Sequence, residues 1–363
     1  MNKLTRNIKA PFYRLLDYFF SAGYVREKLW QAGREMFTQA HPPALTKVSL
    51  PPLPHQYGQL ATIAGTASAA SAGVVPIFIT ARFRSGSTFL WQLFSRIDNT
   101  TCYYEPLNEA QWFIKNRSNA RVDATHIGVD DYRSEYAGME DLGEFFDHRW
   151  AFHSLFMDEF AHNPNMERYI AELIGRAKGR AVLQFNRVDF RLPWLRAHFP
   201  QAKILHLYRH PREQWMSIVG KGARINPTET ISPDQTSASD GFYTLEWARD
   251  LRHVFPFLEP AGKHPYELHY MLWRLSYTFG RAYSDVSICY EELISDFEKV
   301  ATGMFDAVGV HNADVGMLAS LNHGMQKVRW PVYADEAWFS SLETRCECEL
   351  QAFFSNISPS KAN

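Results

Sequence analysis

Cysteine is scarce in this sequence, and no long apolar block opens it. The four cysteines cannot build a dense disulfide framework, and Cys346 and Cys348 lie too close together for a CxxC metal site. Charges scattered through residues 1–30 exclude a signal-peptide core and the roughly 20 apolar residues of a membrane span in that stretch. We therefore expect reduced structural thiols, at Cys102 and Cys289 as well, in a soluble cytoplasmic protein without a transmembrane segment.

An excess of positive charge is also missing. The chain has 38 lysines and arginines against 39 aspartates and glutamates, which gives a net charge of -1. A broad basic surface for nucleic acid is thereby excluded, so we expect no nucleic-acid partner. Any anion-binding site must be a local pocket.

The 363 residues, 46% of them hydrophobic, are enough for a large packed core. Residues 1–60 are predicted to form an N-terminal helical arm, which either packs on its own domain or lies on a membrane surface or partner. The small-residue stretch 61–73 has no hydrophobic period and predicts a linker, so that residues 74–357 form the main domain.

Apolar runs of strand length alternate with helical stretches along the main domain. This order predicts an α/β fold of three layers, similar to P-loop proteins, with a mainly parallel central sheet flanked by helices. The predicted strands are residues 74–80, 181–186, 203–209 and 286–292, and the main predicted helices are residues 87–97, 165–179, 266–284 and 293–309. Residues 221–265 are predicted to be a long insertion or flexible loop.

The segment TARFRSGSTFL, residues 80–90, joins the first strand to the first helix. Gly86 permits a tight turn, hydroxyl side chains flank it, and the N–H groups that open a helix bind anions. Arg84 adds a positive charge. No lysine precedes Ser87 or Thr88 and the first glycine of a Walker A motif is missing, so the loop predicts a phosphate-like ligand outside the usual ATP-binding pattern. Alternatively, Ser85 is only a helix N-cap.

A second anion site is predicted after the strand KILHLYR. Arg209 ends that strand at the same edge of the sheet, and Ser217 follows on the next helix. A guanidinium and a hydroxyl together can bind a second phosphate. The alternative is that Arg209 pairs with an acidic neighbour such as Glu213.

These motifs resemble those of the sulfotransferases that use 3'-phosphoadenosine 5'-phosphosulfate (PAPS), most closely the carbohydrate-type branch. RSGST at residues 84–88 is similar to the family's 5'-phosphosulfate loop, and EPL at residues 105–107 follows it as in that branch. Residues 192–217 resemble the 3'-phosphate motif, and residues 288–297 a tyrosine-acidic segment on a late strand. The resemblance covers roughly residues 74–350.

The resemblance implies PAPS as the cofactor and assigns residues to its two ends. The 5'-phosphosulfate would be held by Arg84, Ser85, Gly86, Ser87 and Thr88, and the 3'-phosphate by Arg209 and Ser217. Lys327 and Arg329 lie in a loosely matched C-terminal basic element and are further expected contacts. The loop departs from the family pattern where Ala81 replaces a frequent glycine and Phe83 a frequent proline.

The implied reaction is transfer of the sulfuryl group to an acceptor hydroxyl. Most of the catalysis should come from positioning of the reactants and from charge stabilisation, with Arg84 acting on the leaving group. No metal should be required. Glu105 is the expected catalytic base, unless it is merely a surface residue. The other candidates for the base are His126, His148 and His153.

The acceptor site is expected to use Arg187 and Trp112, with residues 112–119 and the 221–265 loop as its walls. Arg187 either supports the leaving group or pairs with Asp189. The acceptor is expected to be a carbohydrate or another small metabolite. The alternatives are an atypical P-loop phosphotransferase that uses ATP, or a non-catalytic nucleotide-binding scaffold with its arm as the interaction surface.

Overall fold

The computed structural model describes residues 45, 48–53, 75–115, 122, 126, 128–220, 225–231, 243–324 and 327–357. The chain divides into two compact units, Met1–Ala44 and Leu45–Asn363, and all the described residues belong to the second. Most of the predicted arm and the whole predicted linker lie outside the described residues, so the proposed domain boundaries stay a prediction. Among the residues that are described, no helix is long and apolar enough to cross a membrane.

A sheet of five parallel strands forms the centre of this unit, in the order β2-β3-β1-β4-β5. The strands are β1 Ile77–Ala81, β2 Thr100–Tyr104, β3 Arg180–Phe185, β4 Lys203–Tyr208 and β5 Val286–Cys289. Nearly every strand residue is buried, as expected where helices cover both faces of a parallel sheet. The predicted α/β fold is confirmed, and the sheet has one strand, β2, that the sequence reasoning missed.

The helices of the described unit lie before, between and after these strands. They are α1 Ser87–Ser95, α2 Pro164–Arg176, α3 Leu192–His198, α4 Pro211–Val219, α5 Thr244–Leu251, α6 Pro265–Tyr283, α7 Tyr290–Ser295, α8 Phe297–Ala307, α9 Val315–Leu318 and α10 Glu336–Ile357. Short 3-10 turns connect several of them.

Helix α6 is a central element of the core, because most of its residues are buried and its first turn is capped by side chains. Pro265 occupies the first helical position, where the missing N–H group costs nothing. His264 Nδ1 accepts the Tyr266 N–H at 3.0 Å, and the Glu267 carboxylate accepts the His264 N–H at 2.8 Å. These reciprocal bonds satisfy donors that would otherwise have no partner.

Several predicted boundaries are wrong. The strand predicted for 286–292 ends at Cys289, and the helix predicted for 293–309 is interrupted at Asp296, whose φ of -131° is not helical. The segment 221–265 is not one loop, because α5 lies within it and buries Trp247 and Ala248 in the core. The four cysteines are free thiols, as predicted, and Cys348 alone is exposed.

Candidate active site

The loop between β1 and α1 has a backbone that suits an anion. Arg84 and Gly86 are both left-handed, with φ of 65° and 94°. A Cβ on Gly86 would lie 2.4 Å from ring atoms of Tyr290, so only glycine fits there. The first N–H groups of α1, which begins at Ser87, have no acceptor within the helix and can bind an anion. The residues predicted to bind the first anion therefore form a loop that can do so.

The two predicted anion motifs meet in the structure. Arg84 Nε donates to Ser217 Oγ at 2.7 Å, and Arg209 Nη1 donates to the Arg84 carbonyl oxygen at 3.3 Å. Gln214 on α4 donates to Ser85 Oγ at 2.5 Å. The N-cap of α1 is Gly86, without a side-chain cap, so the alternative role of Ser85 as an N-cap is wrong.

Helix α4 is positioned by the residues that follow Arg209. His210 is its N-cap, and His210 Nδ1 accepts the Arg212 N–H at 3.2 Å. Burial, with the nearby arginines Arg212 and Arg209, lowers the pKa of His210 to about 3. The ring is therefore neutral and can accept this bond, and Pro211 fits the first helical position.

Among the described residues, Arg209 has more donors than hydrogen-bond partners. Its buried Nε atom makes no hydrogen bond within these residues, and its ion pair with Glu291 Oε1 is long, at 3.8 Å. Its guanidinium lies over the Tyr290 ring at 4.6 Å. The alternative pairing of Arg209 with an acidic neighbour holds for Glu291, at 3.8 Å, and not for Glu213, which binds Arg329 instead. An oxyanion of phosphate type is a suitable partner for such a guanidinium.

Thr88 connects the loop to one of the three candidate histidines. Its hydroxyl lies 3.1 Å from Tyr104 Oη and 3.2 Å from His126 Nε2. Ser87, at the start of α1, is buried. His148 and His153 lie instead beside Asp147 and Asp250, at 3.9 and 3.8 Å.

Glu105 follows β2 and is buried, so its reading as a surface residue is wrong. Its Oε2 atom accepts bonds from Asn108 Nδ2 at 2.5 Å and from Arg187 Nη1 at 3.3 Å. Its φ of 39° is unusual for a residue with a side chain. Such strain persists where the surroundings fix it, often at functional sites.

Arg187 is buried and binds two carboxylates, those of Glu105 and the partly exposed Glu109. Its Nη2 donates to Glu109 Oε2 at 2.7 Å, and Tyr243 donates its hydroxyl to the other oxygen of Glu109. Burial acts to raise the pKa of Glu109, but Arg187 and Tyr243 outweigh it and hold this pKa below its ordinary value. The alternative pairing of Arg187 with Asp189 is wrong, since Asp189 accepts from Thr80 at 2.8 Å.

The remaining predicted residues lie farther out or deeper in. Trp112 is buried against Tyr104 and Tyr132, with ring centroids 5.9 and 5.1 Å apart. Lys327 is exposed. Arg329 Nε lies 3.5 Å from Glu213 Oε2, and 41% of the Arg329 side chain is exposed. Within the described ranges, no cluster of three or more His, Cys, Asp or Glu residues could hold a metal ion.

Sequence reasoning missed several residues at this site. Tyr290, Gln214 and Glu109 contact residues that were predicted from the sequence, and Tyr243 in turn contacts Glu109. Tyr290 lies inside the tyrosine-acidic segment, which is the one signal that pointed to it. The other contacts join residues far apart in the chain, and no local pattern indicates them.

No curated protein matches the chain. Among solved structures, a sulfotransferase from Mycobacterium avium is similar at 14% identity and a TM-score of 0.41, over 78% of this chain and 77% of that one. The sulfotransferase domain of a Synechococcus olefin synthase is 17% identical, with a TM-score of 0.35, over 75% and 87% of the two chains. A sulfotransferase from Alicyclobacillus acidocaldarius is 16% identical, with a TM-score of 0.35, over 77% of this chain and 96% of that one.

A family model described as "Sulfotransferase family" matches residues 76–314, which is more than half of the chain. The match includes the β1–α1 loop, the Arg209–Ser217 segment and all five strands. The chain belongs to the sulfotransferase family.

Proposed function

We propose that this protein transfers a sulfuryl group from PAPS to a hydroxyl group of an acceptor. The observation that carries the proposal is the bond from Arg84 to Ser217, which joins two anion-binding motifs 133 residues apart. Arg209 reaches the same loop through the Arg84 carbonyl oxygen. A ligand with two separated anionic groups suits such a pair of sites.

The residues present fit this cofactor. The loop of Arg84, Ser85, Gly86, Ser87 and Thr88 would hold the 5'-phosphosulfate with N–H groups and hydroxyls. Arg209 and Ser217 would hold the 3'-phosphate, since the buried Nε of Arg209 has no hydrogen-bond acceptor among the described residues. Lys327 and Arg329 are proposed as further contacts. PAPS supplies the activated sulfuryl group when it is bound.

Glu105 is the proposed base. Two donors fix its Oε2 atom, and neither the Asn108 amide nor the Arg187 guanidinium occupies Oε1, which would take the proton of the acceptor hydroxyl. Arg84 would stabilise charge on the leaving oxygen from the loop. Arg187 and Trp112 are proposed near the acceptor. His126 stays the second candidate for the base, because it contacts Thr88.

Two other functions are less well supported. A phosphotransferase that uses ATP normally relies on the Walker lysine, and no lysine precedes Ser87 or Thr88 here. A non-catalytic scaffold does not require both Arg84 and Arg209 at one site, where Arg209 donates a hydrogen bond to the Arg84 carbonyl oxygen. The cytoplasm is the proposed compartment, and a small hydroxyl-bearing molecule such as a carbohydrate is the proposed acceptor.

The first test is calorimetric binding of adenosine 3',5'-bisphosphate to the wild type and to Arg209→Ala, with ATP as competitor ligand with and without Mg²⁺. We expect metal-independent binding of the bisphosphate, weakened about 100-fold in the variant, since charged hydrogen bonds contribute roughly 1.5–3 kcal/mol each. Arg168→Ala is the matched control, because it removes an exposed arginine on α2. Preference for Mg-ATP, or equal affinity in Arg209→Ala, would contradict the proposal.

Catalysis needs a separate measurement. Labelled PAPS incubated with a panel of sugars and small alcohols should yield a labelled product with the wild type. If the protein binds the bisphosphate but forms no labelled product with any member of the panel or with a cell extract as the source of acceptors, the result would favour a non-catalytic scaffold.

A further inference from the structure

Helix α4 contacts the anion loop and the segment that precedes α10. Gln214 and Ser217 contact the anion loop, as described above. Glu213 contacts residues 327–334, which we call the strap. Its Oε1 atom accepts the N–H groups of Arg329 at 2.7 Å and of Trp330 at 3.2 Å. One buried carboxylate thus fixes the strap backbone.

The strap has a second anchor that does not involve Glu213. The Arg212 guanidinium lies over the rings of Trp330 and Phe339, at 4.8 and 5.0 Å. Arg212 also donates to Glu336 at 2.6 Å and to Glu343 at 2.8 Å on α10. Loss of Glu213 would therefore release Arg329 while Trp330 stays in place.

Arg329 binds Glu213, which lies on the same helix as Ser217 of the proposed nucleotide site. Glu213 and Ser217 are four residues apart on α4, so they lie on the same helix face about 6 Å apart. The carboxylate of Glu213 contacts only the Nε side of the Arg329 guanidinium. Among the described residues, neither terminal nitrogen of Arg329 has a hydrogen-bond partner, and the side chain is partly exposed.

A carboxylate at this position would by itself repel a phosphate bound by Ser217 and Arg209. A carboxylate at position 213 is therefore expected to bind other groups of the protein. Two backbone N–H groups and one guanidinium surround it, so the charge is largely compensated within the protein.

We propose that Glu213 is a positioning residue that holds Arg329 beside Ser217, so that the site distinguishes nucleotides with a 3'-phosphate from nucleotides without one. The inference rests on the proposed function. It assigns Glu213 no contact with the nucleotide, because its effect passes through the strap.

The test compares calorimetric binding of adenosine 3',5'-bisphosphate and of 5'-AMP, which lacks the 3'-phosphate. In Glu213→Ala we expect the bisphosphate to bind about 10-fold more weakly, the size of one lost charged hydrogen bond, and 5'-AMP to change less than about 2-fold. Glu213→Gln should stay within about 3-fold of the wild type, because its amide oxygen can accept the same two N–H groups.

Arg329→Ala removes a partly exposed side chain, so this variant provides the test even if Glu213→Ala does not fold. It should show the same selective loss, and the double variant should bind no more weakly than Arg329→Ala alone, since both changes remove one interaction. Additive losses, or full preference for the 3'-phosphate in Arg329→Ala, would overturn the inference while leaving the proposed function intact. Failure of the wild type to bind the bisphosphate would overturn both.

Discussion

Replacing Gly86 with alanine tests the geometry of the anion loop most directly. Gly86 has a φ of 94°, and a Cβ there would lie 2.4 Å from two ring atoms of Tyr290. The Tyr290 ring is also covered by the Arg209 guanidinium at 4.6 Å, so it cannot move aside without losing that contact. Gly86→Ala therefore combines backbone strain with a steric clash.

The two costs can be separated. A side chain in the left-handed region costs about 1–2 kcal/mol, and overpacking a buried site costs about 1–3 kcal/mol. We therefore expect Gly86→Ala to lower the free energy of unfolding by about 2–5 kcal/mol. Gly138→Ala is the matched control: its φ is 80° and nothing lies within 4 Å, so it should show the backbone cost alone.

Urea unfolding of both variants, and of Gly86→Ala combined with Tyr290→Ala, measures these costs. In the Tyr290→Ala background the added cost of Gly86→Ala should fall to that of Gly138→Ala, because the clash is gone. Bisphosphate affinity should fall together with stability in Gly86→Ala. If Gly86→Ala costs no more than Gly138→Ala, the proposed contact between the loop and Tyr290 is wrong.

Two further predictions concern catalysis and pH. Glu105→Gln should bind adenosine 3',5'-bisphosphate within about 2-fold of the wild type yet transfer at least about 100-fold more slowly, whereas Glu140→Gln, an exposed control, should be fully active; normal turnover in Glu105→Gln would leave His126 as the base. Burial lowers the pKa of His206 and of His269 to about 3, so the unfolded chain binds protons that the folded chain does not. The contribution of these histidines to stability should be full above pH 6.5, and the free energy of unfolding should fall below that pH by about 1.4 kcal/mol per pH unit for each histidine. When the free energy is measured by urea unfolding at a series of pH values, it should fall less steeply with decreasing pH in His206→Gln than in the wild type.

The sequence was sufficient for the central elements because their signals are local. The loop at residues 84–88 and Arg209 each follow an apolar run that ends in a turn, which placed both at one edge of the sheet. Strand β2 was missed because TTCYY is short and has no aliphatic residue. The break at Asp296 was missed because the apolar spacing continues across it, although aspartate is a common N-cap.

The network around the proposed base could not be predicted in the same way. Arg187 and Glu109 are 78 residues apart, and Tyr243 and Glu109 are 134 apart. Their pairing depends on which strands are neighbours and on where α5 packs, and both are set by the whole fold. Arg187 and Asp189 are close in sequence, yet their side chains bind different partners.

The strand order has a consequence for how such a protein can change. Glu105 and Arg187 follow β2 and β3, on one side of the central strand β1, whereas Arg209 and Tyr290 follow β4 and β5 on the other. The groups proposed for the acceptor and those proposed for the nucleotide therefore occupy opposite halves of the sheet, with the anion loop between them. Substitutions in the first half can alter which alcohol is accepted while the donor half stays the same, so a new substrate range can evolve without rebuilding cofactor recognition.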